Sequence, residues 1–140
     1  MLITREMDYG LRIVRALHGA QQRSAVEIAQ AEKMPSAITY KMLKRLTKAG
    51  ILESRRGVSG GYMLRRPVDE LTLYDVFCAM ETTPQLTECL APGYRCENNS
   101  DGSCCVHREF CRIQRSLETE LKRYTLAEIL SGKTPVCTAK

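Results

Sequence analysis

Residues 51–66 read ILESRRGVSGGYMLRR. Two short runs, ILESRR and YMLRR, flank GVSGG, and glycines at that density mark a tight turn between strands. The stretch therefore predicts a β-hairpin whose tip is flanked by Arg55 and Arg56. Upstream the pattern is helical. Met7, Leu11, Val14 and Leu17 recur at helical spacing, Thr4 can cap that run, and His18-Gly19 ends it. Ser24 and Glu27 form a capping box, in which each side chain takes the other's backbone amide, so a short helix is expected over about 25–31. MPSAITYKMLKRLTKAGIL predicts a third helix, with Pro35 suiting its first turn, Ile38, Leu43 and Leu46 on its buried stripe, and Gly50 closing it.

Helix, short helix, helix, hairpin is the order of a winged helix-turn-helix, in which the third helix enters the major groove and the hairpin follows the backbone. The expected fold class is mainly α with a small β-hairpin, a winged helix-turn-helix followed by a long C-terminal dimerisation helix. The third helix is expected to expose Thr39, Tyr40, Lys41, Lys44, Arg45 and Lys48. Ser36, Thr39, Tyr40, Lys41 and Lys44, with Arg55 and Arg56 in the hairpin, are the candidate DNA contacts. Charge agrees with that placement. The chain of 140 residues has a net charge of +5, unevenly spread: residues 1–66 carry 13 Lys/Arg against 5 Asp/Glu, residues 67–104 carry 1 against 7, and residues 105–140 carry 7 against 4. A basic half draws polyanions, although charge alone also suits a merely solvated surface.

Downstream, PVDELTLYDVFCAMET starts another helix, capped by Thr72 with Asp75 at its third position and Leu73, Val76, Phe77 and Met80 on one face. Cys78 lies within that apolar segment and reads as a buried small hydrophobe. Farther on, Val106, Phe110, Ile113, Leu117 and Leu121 recur at spacings of 4, 3, 4 and 4, a long amphipathic helix from about 105 to 124. A stripe that long in so short a chain suits packing on a second copy, so Phe110, Ile113, Leu117 and Leu121 are the expected homodimer seam. Thr125 and Glu128 form another capping box for a last short helix ending at Gly132. The tail beyond it, with Cys137, is expected to fray. The organisation is thus a winged helix-turn-helix over 1–67, a connecting helix over 68–83, a cysteine-rich loop over 84–104, and a dimerisation helix with tail over 105–140.

That loop raises the chemical question. CLAPGYRCENNSDGSCCVH, residues 89–107, holds four of the seven cysteines and one of the two histidines. About twenty residues without periodicity are unusual in a compact domain unless they are functional or disordered. Ordering them costs roughly 1–2 kcal/mol per residue in backbone entropy, which Leu86, Leu90 and Tyr94 cannot offset. No signal peptide or membrane-length apolar run is visible, so a reducing cytoplasmic setting is expected, where thiols serve metals, clusters or redox chemistry. The spacing Cys89-x6-Cys96-x7-Cys104, with no C-x2-C pair, suits an iron–sulfur core better than one tetrahedral zinc ion. A thiol switch and an unliganded mobile loop are the alternatives on spacing alone.

ITREMDYGLRIV, KMLKRLTKAGILESRRGVSGGYMLRRPVDELTLYDV and the cysteine loop together resemble the IscR/NsrR family of winged-helix transcription regulators, over nearly the whole chain. The resemblance implies a dimer on a palindromic double-stranded operator and a 2Fe–2S or 4Fe–4S cluster that reports cluster supply, iron, nitric oxide or redox state. It implies that Cys89, Cys96 and Cys104 are cluster thiolates. For the fourth ligand it offers His107, as in IscR, or Asp8 of the partner subunit, as in NsrR; DYGLR leans toward Asp8. Arg12 stands where a two-iron arrangement of the family has a histidine. It also implies that Tyr40 and Lys41 read bases and that Arg56 is the wing arginine. The chain departs from the family in a longer loop and in the extra Cys105 and Cys111. Other classes are a cluster-free thiol-redox or metal-responsive DNA-binding regulator and a small iron–sulfur carrier. An enzyme is not expected, because no nucleophile–base pair or phosphate loop appears and GVSGG lies in a hairpin.

Overall fold

A computed structural model of the chain describes residues 4–57, 60–80, 85–96 and 102–135. Six α-helices and one two-stranded sheet are present among them: α1 (Arg5–Leu17), α2 (Ala25–Ala31), α3 (Ser36–Lys48), β1 (Leu52–Arg55), β2 (Gly61–Leu64), α4 (Leu73–Met80), α5 (Cys105–Lys122) and α6 (Leu126–Leu130), with a 3-10 turn over Glu88–Leu90. The helix starts are those the caps predict. Thr4 accepts from Met7 N at 3.4 Å. The Ser24–Glu27 and Thr125–Glu128 boxes both close reciprocally.

The core gathers Met7, Ile13, Val14 and Leu17 of α1, Ile28 of α2, Met42, Leu43 and Leu46 of α3, Leu52 of β1, and Val76, Phe77 and Met80 of α4. Helices α1, α2, α3 and α4 pack as one body, and α3 runs directly into the hairpin. β1 and β2 pair antiparallel with Leu52 opposite Leu64 and Arg55 opposite Gly61. Arg23 and Tyr62 exchange backbone hydrogen bonds of 3.0 and 2.8 Å, which tie the segment before α2 to the wing. Gly61 permits this: a Cβ there would lie 2.7 Å from the Arg23 carbonyl oxygen. The expected mainly helical winged helix-turn-helix with a small hairpin is the observed fold. The hairpin tip, Val58–Ser59, lies outside the described residues, as do 81–84, 97–101 and the tail with Cys137.

Four expectations need correction. Thr39 is fully buried, not exposed; it falls on the core face of α3, and its hydroxyl donates to Pro35 O at 3.1 Å. Arg45 is only half-exposed, because its guanidinium is held by Glu6 and by the Met80 carbonyl. Cys78 is exposed rather than buried, since α4 turns Val76, Phe77 and Met80 inward and leaves the thiol beside Tyr74 at the surface. The stripe of α5 is divided: Val106, Phe110 and Ile113 are exposed, Leu117 packs at the edge of the core, and Leu121 is buried in it. Helix α6 returns to the same chain, with Leu126 N donating to Leu71 O at 2.7 Å and Ala127 N to Val68 O at 3.0 Å. Leu121 therefore packs within its own chain.

Candidate nucleic-acid interface and cysteine loop

The outer face of α3 presents Ser36, Ala37, Tyr40, Lys41, Lys44 and Lys48, with Tyr40 at 52% exposure among the barest large side chains of the described structure. No acidic residue stands in the helix sequence SAITYKMLKRLTK. Its apolar face is fixed by Met42, Leu43 and Leu46, all fully buried, so the polar face is held rigidly outward. Arg55 and Arg56 are exposed where β1 leaves the sheet, and Gly57 follows at φ 118, a backbone angle that suits glycine. Arg55 sits 3.6 Å from Glu53 in a loose surface ion pair. Helix face and wing together offer hydroxyl, aromatic and cationic groups of the kind that contact phosphates and base edges.

Glu6, which sequence reasoning passed over, reaches this face. Its carboxylate accepts from Lys41 Nζ at 2.6 Å and from the Arg45 guanidinium. The Glu6 carboxyl titrates below the usual glutamate value, first through the Lys41 hydrogen bond and then, against some desolvation, through Arg45. No local spacing could reveal this pairing, because the partners are 35 and 39 residues apart.

The cysteine loop is anchored at both ends. Leu86 N donates to the Gln114 side-chain oxygen of α5 at 3.0 Å, and Gln85 Nε2 donates to Leu90 O at 3.0 Å. Cys89 rides on the 3-10 turn, Cys96 is half-buried, and Cys104 caps α5 by accepting from His107 N at 3.4 Å. His107 Nε2 lies 3.4 Å from Cys111 Sγ, one helical turn on. Asp8 stands exposed on α1, paired with Arg12 at 2.9 Å. It rims an apolar groove of about 390 Å³ whose floor includes Leu11, Val14, Leu73, Leu126 and Ile129. Among the described residues, no three Cys, His, Asp or Glu side chains are close enough to hold a metal ion within this one chain. The donor chemistry nevertheless fits a cluster: Cys89, Cys96 and Cys104 are three half-buried cysteines on and beside one loop. Gln114, buried in α5 and bonded to Glu118 at 2.9 Å, is a loop anchor that sequence reasoning missed; its one signal is a polar residue interrupting the stripe between Phe110 and Leu117.

The family described as "Rrf2: Iron-dependent Transcriptional regulator" matches residues 3–132. "Protein aau3" of Rhizobium meliloti (strain 1021) is 28% identical over 138 residues, covering 97% of this chain and 89% of that protein. The solved structure of CymR (YrzC), the global cysteine regulator of B. subtilis, is 26% identical, with a TM-score of 0.70 over 95% of this chain and 98% of that one. IscR of T. potens shares the fold at 21% identity, with a TM-score of 0.68 over 99% of this chain and 92% of that one.

Proposed function

The chain belongs to the Rrf2 family of transcriptional regulators, and from that premise we propose that it is a homodimeric repressor whose grip on a palindromic operator is set by an iron–sulfur cluster in the loop between α4 and α5. The observation that carries the DNA half is the rigid basic face of α3 beside the arginine-flanked wing. Ser36, Tyr40, Lys41 and Lys44 approach the major groove, while Arg55 and Arg56 follow the backbone. Thr39 supports α3 from behind and contacts no DNA.

Cys89, Cys96 and Cys104 would hold the cluster, with Asp8 of the partner or His107 completing it. When bound, an iron–sulfur cluster supplies a joint sensitive to iron supply, oxidants and nitric oxide. The rest follows from the chain. Cys104 caps α5, so its thiolate is fixed to the helix that carries the dimer stripe. Cys89 is steadied by the Leu86–Gln114 bond. Asp8 stands two residues from Glu6, on the first turn of a helix packed against α3. A carboxylate or imidazole is more exchangeable on iron than a thiolate. If Asp8 is that ligand, its release would let α1 relax relative to the loop, giving two states with different contacts.

The test is the iron and sulfide content per chain of anaerobically purified protein, with an absorption spectrum. Stoichiometric iron and sulfide with broad visible bands support the reading. Iron-free protein after anaerobic reconstitution, with DNA affinity that follows thiol oxidation, favours the cluster-free regulator, for which the His107–Cys111 contact supplies a thiol beside an imidazole.

A further inference from the structure

We propose that Glu6 is a built-in stand-in for a DNA phosphate: its carboxylate occupies Lys41 and Arg45 of α3 and is displaced when that helix engages a duplex. The proposal rests on the DNA-binding reading of α3 and adds to it a residue outside the contact surface that tunes affinity.

The geometry is that of an oxyanion bridging two cations. Oε1 of Glu6 accepts from Lys41 Nζ at 2.6 Å, and Oε2 accepts from Arg45 Nη1. Lys41 and Arg45 are four residues apart and so lie one above the other on the same helix face. Two non-bridging oxygens of a phosphate could take the same pair of donors. Arg45 Nη1 also donates to the Met80 carbonyl at 2.7 Å, so the guanidinium stays in place when the carboxylate leaves. The seat is open to solvent: Lys41, Arg45 and Glu6 side chains are 56%, 35% and 33% exposed. Tyr40 and Lys44, on either side of Lys41, are free to face the same duplex.

The charge has to come from another element, because α3 itself has no acidic residue. Glu6 is brought to it by the packing of α1 on α3, through buried Met7 next along the chain. Half-exposed ion pairs of this kind are weak, so a polyphosphate can displace the carboxylate. While Glu6 stays, it neutralises two cations and repels an approaching backbone. It therefore lowers binding driven by phosphate contacts alone, the component that falls steeply with salt.

The test uses the full-length chain, purified anaerobically, and a fluorescent mixed-sequence duplex of about 30 base pairs, followed by anisotropy over a range of KCl concentrations. Glu6→Gln should bind roughly three- to tenfold tighter at low salt, the range expected for freeing one or two weak ion pairs. The slope of log K against log salt should steepen by about one unit for each further phosphate that the freed cations neutralise. In a Lys41→Ala/Arg45→Ala background, Glu6→Gln should change nothing. Unchanged or weaker binding by a Glu6→Gln variant with wild-type thermal stability overturns the proposal. If that variant is destabilised, the wild-type chain decides: the Glu6 carboxylate carbon resonance should move toward its solvated position when duplex is added, and an unmoved resonance overturns the proposal. Failure of the wild-type chain to bind any duplex would instead sink the DNA-binding reading itself.

Discussion

Asp75 joins two parts of the fold through one carboxylate. Oδ2 accepts from Thr72 N at 2.9 Å and from the Thr72 hydroxyl at 2.7 Å, closing the start of α4. Oδ1 accepts from Arg66 at 3.0 Å, which ties the end of the wing to that helix. Partial burial raises the carboxyl's pKa, but the Thr72 hydrogen bonds and the Arg66 guanidinium outweigh it, so the group titrates below the usual 3.8. A folded-state value below the unfolded one stabilises the protein above the unfolded value, and that stabilisation is lost as pH falls through the folded value. Asp75→Asn should therefore cost about 1–2 kcal/mol near neutrality, the range for a lost cap with a charged hydrogen bond. The gap to wild type should close in urea titrations carried below pH 3.8; a gap that ignores pH would show that shape, not charge, matters there. Gly61 makes a different demand. An alanine Cβ would meet the Arg23 carbonyl oxygen at 2.7 Å, and backbone cannot yield cheaply. Gly61→Ala should destabilise by about 1–3 kcal/mol and loosen the Arg23–Tyr62 bridge, read as a lower thermal midpoint and faster amide exchange at Tyr62. Thr72 and Asp75 were legible in the sequence because a cap is written within four residues. The Gly61 requirement was not, because its partner is the backbone of a segment 38 positions upstream.

At the scale of elements, the stripe of α5 lies in two environments. Its exposed N-terminal half carries Val106 at 56%, Phe110 at 36% and Ile113 at 39% exposure, whereas Leu121 is 8% exposed inside its own core. Glutamate at Phe110 and Ile113 should leave a folded chain that fails to self-associate in sedimentation, since unpaired charge at an apolar seam costs several kcal/mol. Leu121→Ala should instead lower stability by about 2–4 kcal/mol, whatever the assembly state. Wild-type protein sedimenting as a monomer would remove the seam altogether. Periodicity found α5 because Phe110, Ile113, Leu117 and Leu121 keep helical spacing. It could not divide the stripe, because an exposed apolar residue and one in its own core look alike in sequence until α6 is seen to return to Val68 and Leu71 and Leu121 to join the core. The same limit explains Thr39: Ile38, Leu43 and Leu46 set the angle of the buried face only loosely, and Met42 and Thr39 complete it. Cys78 was misread for the converse reason, an apolar run whose helix has one wet side.

At the scale of the molecule, the candidate ligands are divided between places that one chain does not bring together. Cys89, Cys96 and Cys104 lie in the loop beside α5, Asp8 lies on α1 at the rim of the α1–α6 groove, and the described residues form no metal site alone. The three thiols were legible as a set of donors, but their assembly was not, because nothing in a linear spacing says whether the fourth donor comes from the same chain. Symmetry makes that question testable. In a two-fold dimer with an Asp8 crossing over, each cluster site uses three cysteines of one chain and the carboxylate of the other. Asp8→Ala homodimers and Cys104→Ser homodimers should then both lose the wild-type visible spectrum. A heterodimer purified through two different tags, one chain Asp8→Ala and the other Cys104→Ser, should regain one intact site of two and about half the wild-type iron. The intact site pairs the cysteines of the first chain with Asp8 of the second. If His107 is the ligand, Asp8→Ala alone should keep its spectrum and His107→Ala should lose it. If Asp8 acts within its own chain, the heterodimer should stay as empty as its parents. Cys78→Ser, on the exposed side of α4 beside Tyr74, should keep full iron in every combination. Full iron retained by Cys89→Ser, Cys96→Ser and Cys104→Ser alike would move the site to Cys105, His107 and Cys111.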